Sequence, residues 1–285
     1  MRYQDQIARL VLAAALLLTL TTLPASGQTS RAEFLKKSSI VFIGTVAEVG
    51  AVSFPGVPAS SRTVVFHVDA LLEKPVSVSI TQGDKVTVEV KDPVLFRKGV
   101  QATLYTNGWI FGEGLAVREV GHEIWTAQLK AVEPSQMRKE LTKIRKELRD
   151  AELRARIQAV DLVLVGRVVE VHPGTIAAVG GPPMPITEHD PDWQEAVIRV
   201  ESWIKGEQAN EEIVVRFPGS LDVAWYGVPK FKEGQEGTFL LQKDQVSGIP
   251  KAMLAGAEVN AYTASDIHDV LPKEEAQRVR ALTEQ

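Results

Sequence analysis

Ile40-Val41-Phe42-Ile43-Gly44-Thr45-Val46-Ala47-Glu48-Val49 and Leu162-Val163-Leu164-Val165-Gly166-Arg167-Val168-Val169-Glu170-Val171 decide how this chain is organised. Set side by side, five of the ten pairs are identical, namely three valines, the glycine and the glutamate. Most of the others exchange one apolar residue for another. Three more pairs follow in the same order. Val64-Val65-Phe66-His67-Val68-Asp69-Ala70-Leu71-Leu72 answers Ala196-Val197-Ile198-Arg199-Val200-Glu201-Ser202-Trp203-Ile204, and Val86-Thr87-Val88-Glu89-Val90 answers Ile213-Val214-Val215-Arg216-Phe217. Phe96-Arg97-Lys98-Gly99, ahead of Ala102-Thr103-Leu104-Tyr105, answers Phe231-Lys232-Glu233-Gly234 ahead of Gly237-Thr238-Phe239-Leu240. Four collinear matches indicate an internal duplication.

Each matched segment is short, rich in β-branched residues and bounded by Gly, Pro or charged turns, which is the pattern of strands. Val86, Val88 and Val90 alternate with Thr87 and Glu89, so one face is expected to be buried and the other wet. The first strand of each copy is apolar almost throughout. Gly44 and Gly166 inside it mark a bulge or a sharp bend. A long bent strand followed by shorter antiparallel ones suits a small closed β-barrel, which leaves no exposed edges.

Between the copies, from about Ser135 to about Ala159, Met137, Leu141, Ile144, Leu148, Ala151 and Ala155 recur at spacings of three and four. This predicts an amphipathic helix, with Ser135 as its N-cap after Pro134. Arg138, Lys139, Lys143, Arg145, Lys146 and Arg149 are expected to be a solvated face. A second helix is predicted after the second copy, where Ala276, Val279 and Leu282 share a face behind Pro272-Lys273-Glu274-Glu275. Each unit is then a barrel with a trailing helix.

At the other end, Arg2 and Arg9 precede an apolar run from Leu10 to Leu23, broken only by Thr19, Thr21 and Thr22, and then Pro24-Ala25-Ser26-Gly27. A charged start, a short apolar run and a small-residue site describe a secretory signal, with cleavage expected before Gln28. The run is shorter than the roughly 20 residues a spanning helix needs, and no later stretch reaches that length. The expected organisation is a signal peptide over 1–27, a first domain over 28–133, a linking helix over 134–160, a second domain over 161–262 and a C-terminal helix over 263–285. Removing 1–27 takes away Arg2, Arg9 and Asp5, leaving 30 basic and 35 acidic side chains. That balance argues against nucleic acid, whose binding rests on basic surface. With no cysteine, the exported chain cannot carry a lipid on cysteine or a disulfide, and each domain must stand on buried apolar area.

The second copy, with Asp161-Leu162-Val163-Leu164-Val165-Gly166-Arg167-Val168, Val200-Glu201-Ser202-Trp203-Ile204-Lys205-Gly206, Ile213-Val214-Val215 and Tyr226-Gly227-Val228-Pro229-Lys230-Phe231-Lys232-Glu233-Gly234, resembles the bacterial netrin-like domains. These are similar to the amino-terminal domain of tissue inhibitors of metalloproteinases. The resemblance covers roughly residues 32–130 and 155–260. It implies two tandem OB-like, five-stranded Greek-key barrels accompanied by helices. In the first copy Leu71-Leu72-Glu73-Lys74 replaces the Trp-x-Lys-Gly element, so that copy is recognisable chiefly through its sibling. The inhibitors chelate the target's zinc through an amino-terminal cysteine. Here the expected start is Gln28 and cysteine is absent, so that mechanism does not carry over, and no functional residue transfers position by position.

The chain has no nucleophile elbow, phosphate loop, His-Glu-x-x-His pair or dinucleotide fingerprint, and no cofactor is expected. Gly112-Glu113-Gly114 lacks a third glycine. His67 is expected on a sheet surface, and His122-Glu123 and His268-Asp269 near turns. One cluster stands apart: Glu188-His189-Asp190-Pro191-Asp192-Trp193, preceded by His172. Imidazole and carboxylates close together can hold a divalent cation, which makes His189, Asp190 and Asp192 the candidate metal ligands. The Gly180-Gly181-Pro182-Pro183-Met184-Pro185 run ahead of them fits a flexible acidic loop better, since one histidine and nearby acids lack the fixed spacing of a strong metal motif. Trp193, with Trp225-Tyr226 further on, is the candidate contact surface. The sequence supports an exported, non-enzymatic binding protein of the cell envelope, periplasmic or extracellular, whose partner is a protein or polymer. Inhibition of an extracytoplasmic protease without cysteine is one alternative, and a metal-dependent activity at the His189 loop is another.

Overall fold

The computed structural model describes residues 26–126, 132–174, 189–206 and 210–284. The expected signal peptide up to residue 25, the Gly180–Pro185 run and Glu188 lie outside the described residues. The chain is mainly β with few helices and divides into two compact units, one ending at Leu148 and one beginning at Arg149.

The first unit contains α1 (Ser26–Lys37), β1 (Ile40–Val49), β2 (Thr63–Glu73), β3 (Lys85–Glu89), β4 (Gln101–Phe111), β5 (Leu115–Ile124) and the start of α2 (Pro134–Ala159). Its strands close into a barrel in the order β1-β2-β3-β5-β4. All pairings are antiparallel except β3–β5, where Val86 lies opposite Leu115 and Val88 opposite Val117. Alternation places Phe42, Val64, Phe66, Val86, Val88, Val90, Leu104 and Val117 inside. Phe42, Phe66 and Phe96 meet there edge to face, a favoured aromatic geometry.

The β1–β2 ladder slips between Ile43 and Gly44, at the repeated glycine. A Cβ on Gly44 would lie 2.9 Å from the His67 carbonyl oxygen, and one on Gly166 would lie 2.6 Å from that of Arg199. The strand bends there because the neighbouring backbone approaches closer than a side chain permits.

Outside the barrel, Leu35 of α1 and Met137, Leu141 and Ile144 of α2 cover Val41, Ile43, Leu72 and Tyr105. Arg31 donates through Nε and Nη2 to Glu123 at 2.7 Å and through Nη1 to Glu140 at 2.8 Å, while the Tyr105 hydroxyl donates to Glu123. Burial, then the Glu123 charge, pushes the Tyr105 hydroxyl well above its ordinary value. Arg145 donates to the carbonyl of Leu35, in the last turn of α1, at 2.6 Å and to that of Ser38, just past it, at 3.1 Å, and pairs with Glu73 at 2.8 Å. The basic face of α2 therefore includes a helix cap, one of the ways orphan C-terminal carbonyls are satisfied.

The second unit contains the rest of α2, β6 (Leu162–Pro173), β7 (Trp193–Lys205), β8 (Glu212–Pro218), β9 (Glu236–Lys243), β10 (Lys251–Leu254), β11 (Ala257–Thr263), β12 (Val270–Leu271) and α3 (Ala276–Thr283). Its sheet has seven strands, ordered β10-β11-β8-β7-β6-β9-β12, where five were expected. An added β11–β9 pairing, Tyr262 opposite Lys243 and Thr263 opposite Gln242, joins β11 to β9. Leu164, Val168, Ile198, Val215, Phe217, Phe231, Phe239 and Leu241 form the core. Leu153 and Ile157 of α2 and Val279 and Leu282 of α3 cover Val163 and Leu240. This corrects the expected stripe of α2. Beyond Leu148 the buried positions are Leu153 and Ile157, while Ala151 and Ala155 are exposed, because this half of the helix serves the second sheet.

Two devices differ from the first unit. The Lys205 ammonium donates to the carbonyls of Ile157, Gln158 and Val160 at 2.8, 3.1 and 2.5 Å, capping α2. Gly206 follows at φ 71°, where a Cβ would meet the Asp161 carbonyl at 2.4 Å. The Lys-Gly element is thus a helix cap, and Arg145 held by Glu73 does that work in the copy that lacks it. The second device is Arg216, fully buried beside Glu195 and Asp244. Its Nε and Nη2 donate to Glu195 at 3.0 and 2.5 Å. Nη1 donates to Asp244 and to Ser247 Oγ, both at 3.0 Å, and to the Ile249 carbonyl, while Nη2 also reaches the Lys251 carbonyl at 2.9 Å. The guanidinium thereby holds the 244–251 segment that leads into β10.

Candidate binding face

Two connections of the second unit meet: the residues entering β7, His189–Trp193, and the β8–β9 connection from Gly219 to Lys230. Backbone bonds seam them together, Gly219 N–H to the Asp192 carbonyl at 2.9 Å and Ser220 N–H to that of Pro191 at 3.0 Å. Asp192 sits at φ 46°, in the left-handed region that aspartate tolerates better than most residues. The Trp225 indole N–H donates to the His189 carbonyl at 2.9 Å. The Trp193 and Trp225 rings pack edge to face with centroids 5.7 Å apart.

Asp222 caps a 3-10 turn, Val223–Trp225, by accepting from the Ala224 N–H at 2.7 Å. Its other oxygen lies 3.1 Å from His189 Nδ1. The Ala224 amide, and then His189, hold the Asp222 carboxyl below its ordinary value. Lys230 closes the connection from beneath, its ammonium donating to the carbonyls of Pro218 and Trp225, and burial lowers its pKa. On this fixed frame Leu221, Val223 and Tyr226 are 91, 85 and 82% exposed.

The structure therefore brings Trp193, Trp225 and His189 together, with Asp192 on the seam and Tyr226 on the outer rim. His189 faces Asp222, a partner the sequence reading did not single out. Among the described residues no three His, Cys, Asp or Glu side chains gather as a metal-holding group, and Glu188 falls outside them. Leu221 and Val223 were also missed. Their signal was available: Phe217 and Phe231 are separated by 13 residues, whereas Val90 and Phe96, their counterparts, are separated by five. The insertion carries apolar residues between Gly219 and Gly227, where a solvated loop has no need of them. The first unit keeps a short version, a 3-10 turn over Pro93–Leu95 capped by Asp92, with Val94 exposed.

Elsewhere, His122 lies within β5 rather than near a turn. Its Nδ1 is 2.7 Å from Glu119, which also accepts from the Lys91 N–H at 2.8 Å. Burial raises the Glu119 pKa, but the bonds from His122 and Lys91 outweigh it and leave the carboxyl below its ordinary value. His67 is exposed on β2, and His268 lies in a 3-10 turn over Ile267–Asp269. Among the described residues no helix is long and apolar enough to cross a membrane.

No protein-family model and no curated protein matches this sequence. Among solved structures, a deletion mutant of the single-stranded DNA binding protein from Thermus aquaticus is 9% identical over 81% of this chain and 91% of its own, with a TM-score of 0.18. A likeness at that score carries no argument about function.

Proposed function

We propose that this is an exported binding protein of the cell envelope, without catalytic activity, which grips a protein or polymer partner through the paired loops at one end of its second unit. One observation carries the reading. Leu221, Val223 and Tyr226 project almost fully exposed from a turn whose base is fixed by Trp193, Trp225, His189, Asp222 and Lys230. Exposed apolar side chains on a rigid support are what a recognition surface requires, since little ordering entropy remains to be lost on binding.

Both units fit tandem OB-type barrels of the netrin-like kind. The closed order β1-β2-β3-β5-β4 supports this, as do the pairings β6–β7, β7–β8, β8–β11, β11–β9 and β9–β6, which run through the second unit in the same cyclic order. Export rests on the signal-like first 27 residues, with the mature protein periplasmic or extracellular. The acidic balance of the chain speaks against nucleic acid as the partner.

The test is a photo-crosslinking residue placed at Tyr226 in the producing cells, with a second at Val76, fully exposed in the first unit. A discrete adduct from position 226 and none from 76 is expected. Equal labelling from both positions would refute the face.

A further inference from the structure

We infer that the Leu221–Tyr226 turn is an apolar plug for a cleft on a partner protein whose rim is basic. This rests on the reading of the same loops as the contact face, and it names the chemistry of the partner. The plug is convex, because its three apolar side chains are mostly free of the rest of the unit, so what receives it must be concave. Ile267, itself 57% exposed, is tied alongside by its N–H to the Gly227 carbonyl at 2.9 Å, which widens the apolar surface.

The sign of the rim comes from its neighbours. Asp190 and Asp192 lie on one wall, Asp222 inside the turn, and Asp266, which pairs with Arg156, beside Ile267. The nearby lysine, Lys230, turns its ammonium onto backbone carbonyls beneath the turn. Of the two nearby histidines, His189 faces Asp222 and His268, next to Ile267, lies close to Asp266, so the negative charge of the rim is assigned to Asp190 and Asp192. An apolar centre with carboxylates around it complements a pocket flanked by Lys or Arg, and such pairing sets partner choice and association rate.

Other occupants fit less well. Anionic lipid headgroups would be repelled by the same carboxylates. A symmetric contact with a second copy would set acid against acid.

The probe is a displayed library of random linear peptides, panned on the full chain and counter-selected on the Leu221→Ser/Val223→Ser/Tyr226→Ser variant. These exposed positions leave the fold unchanged, and the Asp190→Asn/Asp192→Asn variant provides an independent test of the rim. Surviving peptides are expected to join Lys or Arg to aromatic or aliphatic residues. Their affinity should fall at least about tenfold in the Asn variant, and again between about 0.05 and 0.5 M salt. Acidic or uncharged winners, affinity indifferent to salt, or no survivor of counter-selection would overturn the inference. So would binding to 3:1 phosphatidylcholine–phosphatidylglycerol vesicles, or a concentration-dependent dimer, that the triple Ser variant loses. A Tyr226 photo-adduct seated on an acidic or uncharged surface would leave the contact face standing and remove only its assigned chemistry, whereas no adduct would remove both.

Discussion

Replacing Arg216 with Met tests whether one buried guanidinium organises the second unit. The substitution keeps most of the side chain's length and apolar stem and removes the charge. Glu195 at 0% and Asp244 at 1% exposure would then share a dry site with no cation, and the carbonyls of Ile249 and Lys251 would lose their donor. Removing one partner of a buried ion pair costs about 3–5 kcal/mol, which raises the population of opened second unit by roughly two to nearly four decades, at about 1.4 kcal/mol per decade. Hydrogen exchange on the full chain, read by mass spectrometry peptide by peptide, resolves this. Protection should collapse in β8, across residues 244–251 and in β10 and β11, while β1 to β5 keep theirs. A triple change, Glu195→Leu/Arg216→Met/Asp244→Asn, should recover a good part of the loss, because it leaves no unpaired buried charge. A loss under about 1 kcal/mol for Arg216→Met, near the net worth of one ordinary hydrogen bond, would refute the reasoning. It would mean that the cluster relaxes to water or that the 244–251 segment is held by apolar contacts alone.

Lys205→Met should destabilise the second unit by about 1.5–3 kcal/mol, the worth of hydrogen bonds to a charged group, with the loss of exchange protection centred on the C-terminal turn of α2. Gly166→Ala drives a methyl against the Arg199 carbonyl and should cost about 1–3 kcal/mol, seen as a lowered melting temperature of the second unit. Glu119→Gln should lower the stability of the first unit near neutral pH by about 1 kcal/mol. The folded pKa of Glu119 lies below its ordinary value of 4.5, so its contribution is fully present above that value and is lost as pH falls through the folded pKa. In urea titrations, parent and variant should therefore converge in strong acid. A gap that stayed constant from pH 7 to about pH 3 would assign the effect to packing rather than to the carboxylate.

The duplicated strands were legible because their signals are local. The valines of Val86-Thr87-Val88 mark the strand and its core face, although Thr87, expected wet, is fully buried because Ser53 covers it and donates its N–H to the hydroxyl. The interior glycines Gly44 and Gly166 report close approach within a few residues. β5 was not legible: Arg118-Glu119-Val120-Gly121-His122-Glu123 breaks the alternation, and its parallel partner β3 lies far back in the chain. α1 was missed for a related reason. Around Phe34 and Leu35 it has little apolar stripe of its own, and its ties come from elsewhere, Arg31 to Glu123 and Glu140 and its last carbonyls to Arg145. At the candidate site, Trp193, Trp225 and His189 stood out by residue type. Leu221 and Val223 did not, because an apolar residue in sequence reads as core until burial is known. Arg216 answers Glu89 of the first copy, and nothing in its own strand marks it as buried. Only the 244–251 excursion, which has no counterpart between β4 and β5, encloses it.

The two copies have kept different things, and the pattern of retention bears on function. The strand pairings run through both units in the same order, and the bend at Gly44 and Gly166 recurs. The helix ahead of each sheet is capped in both, by Arg145 in one and Lys205 in the other. Solving one structural problem twice with unrelated residues indicates that the scaffold is what had to persist. The connections departed: five residues follow Val90 and 13 follow Phe217, and the added ones end in exposed Leu, Val and Tyr. An insertion that served only stability would bury its apolar residues, since exposed ones contribute nothing to the fold's own core. These residues instead stand on a turn tied down by two tryptophans and a part-buried lysine bond, so the insertion is held in place without being made internal. The first copy's shorter turn also exposes Val94 and Leu95, so what the longer connection adds in the second copy is the tryptophan-backed frame beneath Leu221, Val223 and Tyr226, as expected of the contact loop proposed above. On that proposal, deleting 219–226 should leave the first unit's stability in urea titrations untouched while abolishing affinity for peptides selected on this face.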